Sequence, residues 1–139
     1  KGLHVPLMCL IDYRGFRLIA CSLLPVGSDT LKYGSNNGGL RVHRDDDELA
    51  AKMKKVAKRL NLKGHAVGAS KTIIHGPGDI EGHRGTDQRC YAIDFARVFP
   101  PEAPSSHSHP RAIFHQLLRP ELVKGNDVAL SSDAFSLFQ

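Results

Sequence analysis

The sequence predicts an α+β domain, with a mainly antiparallel sheet packed against one long amphipathic helix and shorter C-terminal helices. Three observations carry this expectation. Two apolar runs flank a polar, glycine-bearing break near the N-terminus, a hydrophobic repeat at helical spacing runs from Leu49 to Leu60, and strand-like runs bracket a Gly- and Asp-rich connection beyond it. With 139 residues, 41% hydrophobic and 24% charged, the chain is expected to be a single domain, residues 1 to 139, around one core.

Taking the elements in order, Val5 to Ile11 and Phe16 to Leu24 surround Asp12-Tyr13-Arg14-Gly15, which is the pattern of a β-hairpin. Nearly every strand position is apolar, so the hairpin is expected to be buried on both faces and central in the sheet. From Gly27 to Arg44 two short strands, at Leu31 to Tyr33 and Leu40 to Val42, are expected around the Asn36-Asn37-Gly38-Gly39 turn. Leu49, Met53, Val56 and Leu60 fall on one face of a helix predicted from about Asp46 to Leu62. Asp45, Asp46, Asp47 and Glu48 cap and complement its N-terminus, Lys54, Lys55, Lys58 and Arg59 lie toward its C-terminus, and Gly64 is placed to close it. Strands follow at Lys71 to His75 and Cys90 to Phe95, the second stopped by Pro100-Pro101. Residues 104 to 110 read as a loop, Arg111 to Leu118 as a short helix, Arg119 to Val123 as the start of another, and Asp127 onward as a final helical segment around Phe135.

The excess of 19 Lys and Arg over 14 Asp and Glu raises the prospect of a polyanionic partner such as RNA, although much of it is a solvated helix face. Cys9, Cys21 and Cys90 are odd in number, lack Cys-x-x-Cys spacing and sit in apolar runs, so they are read as buried thiols in a reducing compartment. No run has the length of a membrane span and no leader opens the chain, so a soluble, non-secreted protein is expected. The start at Lys1 and the end at Gln139 read as an excised region of a longer polypeptide.

Four ordered segments carry a family resemblance. They are Ile11-Asp12-Tyr13-Arg14-Gly15-Phe16-Arg17 with Leu23-Leu24-Pro25, then Lys32-Tyr33-Gly34-Ser35, then Gly85 through Pro101, and last Leu118-Arg119-Pro120-Glu121-Leu122-Val123. Together they resemble the CLU (clustered mitochondria) domain, and the chain is similar to its later, C-terminal half. The connection from Gly64 to Gly85, Arg17 and Gln88 depart from the family pattern. The resemblance implies a noncatalytic interaction module of a large cytoplasmic protein, linked to messenger RNA binding and mitochondrial distribution. Partners are then RNA, other proteins or the rest of a larger chain. Binding candidates are Arg14, Arg17, Lys32, Arg89, Arg97 and Arg119, with Arg14, Arg97 and Arg119 equally open to an internal salt-bridge reading.

Catalysis is the rival reading. His75, Asp79 and then the Ile93-Asp94-Phe95 stretch have the order in which kinase-like phosphotransferases place a catalytic-loop aspartate before a metal-binding Asp-Phe pair. No glycine-rich phosphate loop followed by a strand lysine precedes them, and the simpler expectation is that Asp94 pairs with a nearby arginine, such as Arg97 or Arg14, or caps a backbone turn. The pairs His107 and His109, and His75 and His83, lack ligand spacing on a predicted helix, so no metal or cofactor is expected. A purely protein-binding scaffold is the remaining alternative.

Overall fold

The computed structural model describes residues 2–107, 109 and 111–138. Its elements are β1 (Leu3–His4), β2 (Met8–Tyr13), β3 (Phe16–Cys21), β4 (Leu31–Gly34), β5 (His43–Arg44), α1 (Asp47–Leu60), β6 (Gly64–Val67), β7 (Thr72–His75), β8 (Glu81–Arg84), β9 (Cys90–Ile93) and α2 (Pro120–Gly125). The fold is α+β. A five-stranded sheet runs β1-β9-β8-β4-β5, antiparallel except for the parallel β1–β9 pair, while β2–β3 and β6–β7 form two separate hairpins.

Helix α1 forms for the reasons its sequence gives. Asp46, in extended conformation, accepts a hydrogen bond from the Leu49 N–H, and Asp47 and Glu48 sit in the first turn. Leu49, Ala50, Met53 and Ala57 turn inward against β4, β7 and β8. The C-terminus differs from expectation: the helix stops at Leu60, and Asn61 rather than Gly64 takes the left-handed cap (φ 57). Its side-chain amide donates to the Val123 and Asn126 carbonyls, tying α1 to α2, while Gly64 opens β6.

The principal core joins Tyr33, Leu49, Met53, Val67, Ile74, Ile80 and Ala92, and a second cluster joins Ala57, Leu62 and Val123. At Gly34, φ is +83° and a Cβ would overlap the Ile80 carbonyl oxygen, the acceptor of the Ser35 N–H, so only glycine fits between β4 and that chain.

The largest departure from the sequence reading is the N-terminal hairpin. It is not central in the sheet; β2 and β3 pair with each other alone, and every residue of both strands is exposed. Cys9 and Cys21 are therefore exposed, Cys90 alone is buried, and Tyr13 projects into solvent. Apolar composition alone does not set a strand's place in a sheet, and among the described residues no other strand pairs with this hairpin. Four further expectations change. The second of the early strands is His43–Arg44 rather than residues 40–42, the Gly- and Asp-rich connection contains β8, and the stretch 111–118 holds a single 3₁₀ turn, Ala112–Phe114. Residues 127–138 form no helix because Leu130 is held extended, exchanging backbone hydrogen bonds with Asn61 and Lys63.

Candidate functional site

Of the two catalytic candidates, Asp79 is held by an arginine. Arg97, buried, donates two hydrogen bonds to Asp79 (Nη2 to Oδ1 2.6 Å, Nε to Oδ2 2.9 Å) and lies 3.4 Å from Asp133 Oδ1. The rings of Phe138 and Phe114 stand 5.0 and 5.4 Å from its guanidinium. Asp133 is fully buried and also accepts from the Gly78 N–H and bonds to His65 Nε2, both at 2.7 Å. Asp79 and Asp133 thus share one arginine, which makes the cluster an internal clamp joining the residue 77–80 turn, the chain after β9 and the C-terminal segment.

Asp94, expected to pair with Arg97 or Arg14, is instead exposed in a left-handed conformation (φ 55), because Arg97 faces Asp79 and Asp133. Although the residue is exposed as a whole, desolvation of its carboxyl, with the negative charges of Asp79 and Glu81 nearby, raises it above the ordinary range. Among the described residues no group of three or more His, Cys, Asp or Glu side chains could hold a metal ion. Gly34 to Gly39 is no phosphate cradle: Ser35 Oγ accepts from the Asn37 and Gly39 N–H groups and donates to Asn37, closing the turn on itself.

The six binding candidates lie on different elements and meet different partners. Arg97 is spent inside the clamp. Arg17 pairs with Asp12 across the hairpin at 2.8 Å, and Arg14, at its turn, lies 5.3 Å over the Tyr13 ring. Arg89 lies 3.7 Å from Asp87, Lys32 is half-buried in β4, and Arg119 is exposed at the start of α2.

The structure singles out a different basic surface. On α1, Lys54, Lys55, Lys58 and Arg59 are exposed and make no ion pair among the described residues, whereas Lys52 is tied to Glu48 at 2.7 Å. These four are the solvated, dipole-complementing helix face that the sequence predicts. Beside them opens an apolar cavity of about 210 Å³ between α1 and the sheet, lined by Leu3, Val5, Val56, Leu60, Ile80 and Phe95 among others. Lys55 and Arg59 edge the surface that continues from it past Leu3 and Val56.

The remaining motif residues shape the scaffold. The Tyr33 hydroxyl, buried, donates to the His75 carbonyl and accepts from its N–H, and burial pushes it up to about 12. The Tyr91 hydroxyl donates to Asp87 at 2.7 Å, and Arg84 binds Asp46 and Glu48, locking β8 to the start of α1. These residues belong to a segment that a family model recognises: the one described as CLU, Clustered mitochondria, matches residues 1–104. The chain belongs to the clustered mitochondria family. It is 38% identical over 130 residues to the Clustered mitochondria protein of Arabidopsis thaliana, covering 88% of this chain and 9% of that one. Clustered mitochondria protein homologs of Neurospora crassa (29% over 140 residues) and Aspergillus clavatus (30% over 139) match 88% and 89% of this chain, in each case 11% of their own length. The chain therefore spans about a tenth of the curated relatives it matches. No solved structure matches it. Among the described residues, no helix of this clustered mitochondria chain is long and apolar enough to cross a membrane.

Proposed function

We propose that the chain is a noncatalytic interaction module of a cytoplasmic clustered mitochondria protein, resembling the later half of the CLU domain, and that it contacts messenger RNA through the basic face of α1. The observation that carries this reading is the row Lys54, Lys55, Lys58 and Arg59, four accessible cations without acidic partners among the described residues. Unpaired cations one helical turn apart suit a phosphate chain, because each contact releases a condensed counterion. The scattered arginines at 14, 17, 89 and 119 contribute at most peripheral contacts, and Arg97 none.

The test is binding of a labelled single-stranded RNA across a salt series, with ATP-magnesium in parallel. If all four cations meet phosphates, the affinity falls with a log–log slope of roughly 3. Replacing Lys54 and Lys58 with Ala is expected to lower that slope by about 1.4. Binding that ignores salt, or survives the double substitution unchanged, overturns the reading; ATP binding without RNA binding revives a phosphotransferase. A protein-binding scaffold is the second reading, favoured by the apolar cavity beside α1, whose lining suits a hydrophobic side chain.

A further inference from the structure

The hairpin β2–β3 holds an unusual arrangement of apolar side chains. Its register pairs Cys9 with Ala20, Ile11 with Leu18 and Tyr13 with Phe16, so these lie on one face; Met8 with Cys21 and Leu10 with Ile19 lie on the other. Only the Asp12–Arg17 pair at the tip is charged. Both faces are open: Phe16 and Leu18 are 69% and 51% exposed on the first, Leu10 and Ile19 60% and 66% on the second. Among the described residues, the outer edges of β2 and β3 also have no strand partner. A two-stranded ribbon of this kind is marginal in water, and its continuous apolar surface and open edges are what a third strand and covering layers bury.

The occupant must reach both faces at once. A second copy of this chain, meeting the hairpin by a two-fold contact through one face or one edge, leaves the opposite face wet. The relatives of this chain are about ten times its length, so polypeptide enough for two layers accompanies this region in them. We infer that β2–β3 is a sheet-insertion element, buried on both faces by strands and side chains of the same clustered mitochondria polypeptide that lie outside these 139 residues. This inference stands independently of the RNA reading, which concerns α1.

The chain carries its own probes. Cys9 reports one face and Cys21 the other, while buried Cys90 reports unfolding. Maleimide labelling, with Cys9→Ser and Cys21→Ser to assign each site by mass, is compared between the 139-residue chain and the full-length polypeptide. In the short chain Cys9 and Cys21 are expected to react freely and Cys90 slowly. In the full-length polypeptide both are expected to slow by on the order of 100-fold or more, since reaction then requires local opening. If both stay reactive, the inference fails; if one alone is protected, the hairpin lies on a surface rather than within a sheet, and it fails as well. Protection of the short chain that rises with its concentration, with a dimer in sedimentation, assigns the face to a second copy and overturns the inference. Ile19→Asp supplies the second arm. It is expected to leave Cys90 protected in the short chain and to make Cys9 reactive again in the full-length polypeptide; unchanged Cys9 protection there refutes insertion.

Discussion

The C-terminal clamp is open to a direct energetic test through Asp133→Ala. Asp133 lies outside residues 1–104, yet its carboxylate accepts the Gly78 N–H, meets His65 Nε2 and faces Arg97, and it is wholly buried. The substitution strands a backbone N–H with no route to water, at about 1–3 kcal/mol, and removes one of the two carboxylates that compensate buried Arg97. Loss of one partner of a buried ionic cluster costs about 3–5 kcal/mol in total. Here Asp79 continues to neutralise Arg97 through two shorter hydrogen bonds, which places the expected loss near 3 kcal/mol. With a urea slope of about 2 kcal/mol/M, the unfolding midpoint falls by roughly 1.5 M at an unchanged slope. Asp133→Asn, which keeps an acceptor for Gly78, is expected to lose about half as much. Urea unfolding followed by circular dichroism measures both. A loss for Asp133→Ala below about 1 kcal/mol would refute the clamp as a stabilising element and show that the C-terminal segment merely lies against the core.

Three further outcomes are expected. Gly34→Ala forces a Cβ into the Ile80 carbonyl and should abolish folding or lower stability by more than about 3 kcal/mol, whereas Gly15→Ala, at a similar φ (+82°) but with open space around it, should cost only about 1–2 kcal/mol; thermal melts of the pair separate steric overlap from backbone strain. Asp46→Ala removes the N-cap and one partner of Arg84, for an expected loss of about 1–2 kcal/mol. Its pH signature follows from the lowered carboxyl of Asp46: burial opposes the shift, but the Leu49 N–H and Arg84 outweigh it. A depressed carboxylate contributes stability that is present above its unfolded value of 3.8 and lost as pH falls through the lower folded value, so the gap between wild type and Asp46→Asn should close below about pH 4 in melts taken from pH 7 to 2. Asp94→Asn should act oppositely. The raised carboxyl of Asp94 means its charge disfavours the fold at pH 7, so removing it should raise the melting temperature there, with the advantage shrinking as pH falls and Asp94 itself protonates; a lower melting temperature at pH 7 contradicts that placement.

How legible these features were in the sequence depended on the distance over which each is specified. Helix α1 was readable to within two residues because its repeat, its N-cap and its first-turn acids are local. Its end was missed because Asn61 is stabilised by bonds to Val123 and Asn126, more than 60 positions away. The strand at residues 81–84 escaped notice for a similar reason: Glu81-Gly82-His83-Arg84 has no apolar alternation, and it is a strand because β4 and β9 bracket it and Gly82 lets the Tyr33 and Leu49 side chains approach. Tertiary pairing there overrides propensity.

The candidate site was less readable because charge in a sequence does not declare its partner. Arg97 and Arg17 look alike as exposed binding groups until the fold sets one against Asp79 and Asp133 and the other against Asp12. Asp133, which decides the fate of Arg97, sits in a serine-rich tail with no motif to mark it. The lysines of α1 were visible throughout, but their favourable place on the helix dipole supplied a sufficient local reason for them, and it is the lack of acidic partners among the described residues that leaves them available for a second role. The hairpin inverts the case. Its apolar strands read as buried and central, yet every position is exposed in the fold, because hydrophobic composition specifies a preference for cover and not where that cover comes from. Under the insertion proposed above, such a run reports burial in a larger assembly, and the curated relatives this chain matches, about ten times its length, have polypeptide enough to form it.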